Sequence, residues 1–219
     1  MSAPYSLRLF TPAGGNLGAL TDYAGFALAY GQGVVGVCTV TLGNKWKTAQ
    51  AYPPFTRLEV WRSVGGITYL EGERIWYLLD QADYRDAQGR QLQQLTFYDA
   101  NYILASRYIL AAAESAEADK TDNADDMIKD IVKETIGSEA TAARQVTGLT
   151  VAADNAAATS ITKAFHGRRV IDILNEVCAK ARDNDEALFY DFVRTGENAI
   201  EFRTFMGQRG TNRGKDSAA

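Results

Sequence analysis

The sequence predicts an α+β fold: an antiparallel, β-barrel-like meander followed by an α/β portion with two amphipathic helices and a β-hairpin. Three observations carry that expectation. Between Phe55 and Ile109, apolar residues recur with a period of two and are separated by glycine-containing turns, the mark of strands with two different faces. Two later stretches place apolar residues at i+3 and i+4 spacings, the mark of one-sided helices. Between these regimes, residues 111–123 read AAAESAEADKTDN, small and acidic without a large apolar side chain. The expected boundary lies there, with 1–112 as a β-barrel-like domain and 113–219 as an α+β domain.

Taken in order, Ser6 to Phe10 alternates Leu7 and Leu9 with polar neighbours and predicts a first strand, and Pro12 to Leu20 reads as a glycine-rich loop. Tyr23 to Asn44 carries no charge, but its glycines and the β-branched run Val34 to Leu42 favour two strands over a membrane span. Gly31-Gln32-Gly33-Val34-Val35-Gly36 matches the dinucleotide-binding pattern formally. No helix opening follows it, so hairpin or bulge glycines are the better reading. Leu58 and Val60, then Ile75, Tyr77 and Leu79, then Leu95 and Phe97 set the central strands. Val64-Gly65-Gly66 and Ala87-Gln88-Gly89 supply turns. Asp99 is expected to cap a short helix bearing Tyr102, Ile103 and Tyr108.

A helix is predicted over residues 124–136, with Met127, Ile128, Ile131, Val132 and Ile136 as its stripe, Asp122, Asp125 and Asp126 at its start and Gly137 at its end. Val146 to Ala152 reads as a short strand and Ala153 to Ser160 as a loop. A second helix is predicted over 168–182, its buried face built of Val170, Ile171, Leu174, Val177, Cys178 and Ala181. A hairpin over 187–205 turns at Thr195-Gly196-Glu197-Asn198 and needs a further strand to pair with, because an isolated hairpin is marginal. Residues 207–219 hold too little apolar surface to order themselves.

With 46% hydrophobic and 23% charged residues, the 219-residue chain has ordinary globular composition. A net charge of −4 argues against recognition of nucleic acid through a basic surface. No signal peptide is legible at the start. Cys38 and Cys178 are the only cysteines and read as buried thiols, so neither a disulfide framework nor a zinc cluster is expected. An EF-hand loop counted from Asp122 fails, with Ala124 at its third position and Lys133 where the bidentate glutamate belongs. His166 is the one histidine, and no nucleophile elbow accompanies it. Asp125 and Asp126 read as exposed acids, and Arg168-Arg169 as a weak phosphate contact. No catalytic, cofactor-binding or metal-ligating residue is nominated, and no enzyme activity is expected.

The order of these pieces resembles tail proteins of long-tailed bacteriophages, of the baseplate hub or tail-tip type. Arg57-Leu58-Glu59-Val60-Trp61-Arg62 precedes a Gly-Gly turn and Tyr77-Leu78-Leu79-Asp80; Leu95-Thr96-Phe97-Tyr98-Asp99 leads into Leu104-Ala105-Ser106-Arg107. The helix of residues 124–134 with Gly137 after it, Arg144, the 170–181 helix and the 188–205 hairpin continue that order, so the resemblance spans 55–209. It implies a structural component of a virion tail, assembled in the host cytoplasm as a ring, typically a trimer, at the distal end of the tail tube. The implied partners are the tube, the distal tail protein, the tape measure and fibres or a spike, with no nucleic-acid recognition and no stable membrane insertion. Family members usually continue past the point where this chain stops, so a shortened second portion is expected. A carbohydrate- or receptor-binding β-domain of a tail tip is the alternative, in which exposed tryptophans would stack on sugars; a cell-wall hydrolase is the third.

Overall fold

The computed structural model describes residues 5–43, 52–109, 118–165 and 167–207. Trp46, His166 and the tail beyond residue 207 lie outside them. Eight strands form one antiparallel sheet: β1 (Tyr5–Phe10), β2 (Asn16–Leu20), β3 (Tyr23–Ala29), β4 (Val37–Leu42), β5 (Arg57–Val64), β6 (Ile67–Leu70), β7 (Trp76–Arg85) and β8 (Gln91–Asp99). Their order is β2-β1-β5-β7-β8-β4-β3, with β6 on the far end of β5. Strand β5 changes partner along its length, pairing β7 at Arg57 and Leu58 and β6 from Trp61 to Val64.

The period of two is realised as one buried face, although on β7 the buried phase is Trp76 and Leu78 rather than Tyr77 and Leu79. Leu7, Leu9, Cys38, Val40, Leu42, Leu58, Val60, Trp76, Leu78, Leu95 and Phe97 form a single apolar cluster. The sheet rolls around it far enough for Tyr5 on β1 and Phe26 on β3, five strands apart in the order, to bring their rings within 5.5 Å. No backbone ladder joins β2 to β3 among the described residues. The β5–β6 connection is a two-residue hairpin in which Gly65 (φ 58°) and Gly66 (φ 83°) both take the left-handed conformation, as type I′ turns require.

A second apolar cluster is built by α1 (Asn101–Ala105), α2 (Ala124–Ile136), α3 (Val170–Arg182), β14 (Leu188–Gly196) and β15 (Ala199–Met206). The remaining strands are β9 (Tyr108–Ile109), β10 (Ala118–Asn123), β11 (Leu149–Val151), β12 (Ser160–Phe165) and β13 (Arg168–Arg169). Both long helices match their predicted stripes: Met127, Ile128, Ile131, Val132 and Ile136 are buried, as are Val170, Ile171, Leu174, Val177, Cys178 and Ala181. Helix α2 ends at Gly137, where a Cβ would meet the Lys133 Cα at 2.8 Å. The expected further strand for the hairpin is β11, which pairs in parallel with β15.

Several expectations are corrected. Residues 12–20 are not all loop, because Asn16–Leu20 forms β2 on β1. Ala100 rather than Asp99 holds the cap position of α1, although the Asp99 carboxylate accepts the Asn101 N–H that opens the helix, and Tyr108 falls in β9 rather than in the helix. The polar 118–123 stretch is a strand, antiparallel to β12. That ribbon places Lys120 opposite Lys163, a repulsive arrangement, and each lysine turns to a different helix: Lys120 to Glu134 on α2 at 2.5 Å and Lys163 to Glu176 on α3 at 2.6 Å. Strand β10 carries no large apolar side chain, and β12 offers only Ile161 and Phe165 four residues apart, so neither strand was legible from an apolar period.

Truncating Ile131, 1% exposed between the helices, is expected to cost about 2–5 kcal/mol, whereas Ile67→Ala at the exposed hairpin should stay within about 0.5 kcal/mol. Urea denaturation midpoints of the two variants check this contrast.

Candidate functional site

The two apolar clusters meet at a buried charge cluster centred on Arg74. Arg74 enters just before β7, is 4% exposed, and places its guanidinium between Asp99 at the end of β8 (1%) and Asp191 in the middle of β14 (2%). One nitrogen bonds Asp99; the other donates to Asp191 at 2.8 Å and to the Gly31 carbonyl at 3.1 Å. The Tyr30 ring lies under the guanidinium, 5.0 Å away. Burial pushes the Asp99 carboxyl above its usual range, opposed by Arg74 and by hydrogen bonds from the Gly36 and Asn101 backbone.

A second charged link runs beside it. Glu59 on β5, 2% exposed, forms an ion pair with Arg194 of β14 at 2.5 Å and accepts from the Trp61 indole at 2.9 Å. The 30–36 loop between β3 and β4 forms the third element of the junction. Asn175 of α3 donates to the Gly33 carbonyl and accepts from the Tyr190 hydroxyl, while Asn101 donates to the Val34 carbonyl. This loop carries the glycines that match the dinucleotide pattern, and its role is packing. A Cβ on Gly33 would sit 2.4 Å from the Asn175 oxygen, and one on Gly36 would sit 2.8 Å from an Asp99 oxygen.

A cleft of about 780 Å³ opens over the junction, bordered by Tyr30, Tyr69, Glu73, Arg74, Asp191 and Arg194. Its arginines are already held by Asp99, Asp191 and Glu59, so the cleft is a seam whose charges serve each other. Tyr30 closes one wall by donating to Glu71 at 2.7 Å, and burial with that acceptor raises its hydroxyl to about 12.

The acids at the start of α2 are placed otherwise than expected. Asp125 (1% exposed) and Asp126 (6%) are buried around Lys129 (1%) rather than lying on open ground. Lys129 donates to Asp126 at 2.8 Å, to the Ala153 carbonyl at 3.0 Å and to Asn155 at 2.7 Å. The two carboxylates in turn accept the backbone N–H groups of Asn155, Ala156 and Ala158, which ties down a loop that would otherwise leave those donors unpaired. Asp122 sits in β10 opposite Ile161. Among the described residues no group of three or more metal-ligating side chains converges. Cys38 lies in the sheet core and Cys178 on α3, and burial pushes both thiols up to about 12. Arg168 pairs with Glu176 and Arg169 interacts with Tyr108. The uncharged 23–44 stretch supplies β3 and β4, and no helix among the described residues is long and apolar enough to cross a membrane.

Comparison with known proteins adds the fold relationship. The chain is similar to the crystal structure of the tail protein from Neisseria meningitidis MC58, with a TM-score of 0.50 and 11% identity, over 90% of this chain and 50% of that one. It also overlaps the E. coli c3393 protein, described as a component of the type VI secretion system with structural similarity to the T4 bacteriophage tail proteins gp27 and gp5. That match has a TM-score of 0.43 and 8% identity, covers 92% of this chain and 46% of that one, and is too loose to carry an argument. No protein-family model and no curated protein matches the chain. The chain thus spans about half the length of the structures it matches, and it shares the fold of half of the Neisseria tail protein.

The acid dependence of the α2 knot can be worked out. Burial raises the Asp126 carboxyl, but bonds from Lys129 and from the Asn155 and Ala156 amides outweigh it and hold the group below its ordinary value. A depressed folded value contributes stability above the unfolded carboxylate range near about 4, lost as pH falls through the folded value. Urea midpoints should therefore drop from about pH 5 downward, and Asp126→Asn should flatten that slope without abolishing it, because Glu176 and Glu186 are also held low.

Proposed function

We propose that the protein is a structural component of a phage or phage-like tail, without catalytic activity, residing in the virion tail. The observation that supports this most is the fold shared with half of a tail protein across 90% of the chain. In this reading the chain is a baseplate hub or tail-tip subunit, three copies closing a ring at the distal end of the tube. Its partners are the tube, the distal tail protein, the tape measure and fibres or a spike. The portions 1–112 and 113–219 act as its two domains. Strands β2 and β3 end the described sheet, and open edges are suited to pairing with a neighbouring subunit. The β5–β6 hairpin also presents Val64, Ile67 and Tyr69 to solvent at 51%, 71% and 39% exposure.

Carbohydrate binding is the weaker reading. Trp76 is fully buried, and Trp61 is engaged by Glu59 and covered by Arg8 at 5.1 Å, which leaves neither indole free to stack on a sugar.

Light scattering across a concentration series tests the ring directly. The expected result is a mass three times that of the 23.9 kDa chain, with closed rings in negative stain. A monomer at every concentration would contradict it.

A further inference from the structure

A second pocket, of about 370 Å³, lies on another face of the junction and has a different charge character. Arg57 and Tyr77 come to it from the sheet, Phe55 from the turn before β5, Ile103 and Arg107 from α1 and the residues after it, and Val146 from the loop before β11. Among the described residues no carboxylate lines it and neither arginine forms an ion pair. Arg57 donates to the Glu197 carbonyl and the Asn198 side-chain oxygen, both neutral, and lies over the Tyr77 ring at 5.9 Å. The Nε atoms of both Arg57 and Arg107 are buried without a hydrogen-bond partner. Two arginines without a carboxylate partner among the described residues, held side by side in one largely apolar pocket, give it a local positive field that favours an acidic ligand.

The mouth of the pocket carries an independent sign. Phe55 is 53% exposed and holds φ at 65°, a left-handed conformation rarely taken by an aromatic residue. Its turn is nonetheless pinned: the Phe55 amide donates to the Leu78 carbonyl, the Leu78 amide to the Thr56 carbonyl, and the Thr56 hydroxyl to the Pro53 carbonyl. A strained turn held rigid by its surroundings, presenting a large apolar side chain to water, is characteristic of a binding site.

We propose that this pocket binds a peptide segment of a partner protein in which a large apolar side chain adjoins an aspartate or glutamate. The apolar side chain packs against Phe55, Tyr77 and Val146, and the carboxylate accepts from Arg57 and Arg107. Charge complementarity selects an acidic segment, and the pocket, at about 370 Å³, has room for an aromatic side chain together with the adjoining carboxylate.

The test titrates the full chain with the blocked peptide acetyl-Ala-Phe-Asp-Ala-amide and with its asparagine counterpart, following backbone amide shifts by NMR. Saturable shifts are expected at Ile103, Ser106, Arg107 and Thr147, with the aspartate peptide bound about tenfold tighter, the equivalent of one charge-assisted hydrogen bond. R107Q should bring the aspartate peptide to the level of the asparagine one, while F55A should weaken both. Arg107 makes no described side-chain hydrogen bond, so R107Q should leave the spectrum of the free protein otherwise unchanged, and R107K serves as a charge-retaining control. Equal affinities for the two peptides, shifts confined to other surfaces, absence of saturable binding, or an R107Q variant that binds like the unaltered chain would each overturn the proposal.

Discussion

A single buried guanidinium decides how this chain is put together. Arg74 is removed from water between two carboxylates that come from different apolar clusters, Asp99 at the end of the sheet and Asp191 in the strand that backs the helices. Desolvating three charges is expensive, and their attraction offsets that only when geometry and hydrogen bonding are satisfied. Here the Gly31 carbonyl and the Tyr30 ring complete the cage. Separating the clusters would break the guanidinium's ion pair with at least one of the two carboxylates, so the arrangement specifies one relative placement more than it adds raw stability.

The neighbouring contacts follow from that placement. Glu59 and Arg194 repeat the charge link on the adjacent strand, and the 30–36 loop fits between the sheet and α3 only because Gly33 and Gly36 present no Cβ to Asn175 and Asp99. The same logic runs through α2, where Lys129 is a buried cation that draws two aspartates and the 153–158 loop around it. In both places an ionic group buried at a seam organises backbone with little apolar surface of its own. A tail subunit under load from its neighbours would gain from seams that hold one geometry, which connects the fold to the proposed role.

Much of the fold was legible because it rests on periodicity. The stripes of α2 and α3, the Gly65-Gly66 hairpin and the closing β14–β15 pair all express local rules and stand where expected. The junction was not legible, because Arg74, Asp99 and Asp191 are far apart in sequence and each looks locally like a turn, cap or surface residue. A weaker signal was present: Asp191 interrupts Leu188 to Val193, an otherwise apolar run, and Lys129 falls on the buried stripe shared with Val132 and Ile136. Charges on apolar faces mark buried pairs, though only the fold supplies the partners. The ribbon of β10 and β12 escaped for the opposite reason: β10 carries no large apolar side chain, β12 buries only Ile161 and Phe165, and lysines reach from both strands to α2 and α3.

Scanning calorimetry of the full chain and of Arg74→Met tests the central claim most directly. If the buried cluster joins the two apolar clusters into one cooperative unit, the unaltered chain unfolds in a single transition. The variant, which removes the cation shared by the buried Asp99 and Asp191 at a cost of about 3–5 kcal/mol, unfolds earlier and in two steps. Two transitions in the unaltered chain, or an Arg74→Met variant with an unchanged single transition, would contradict the account.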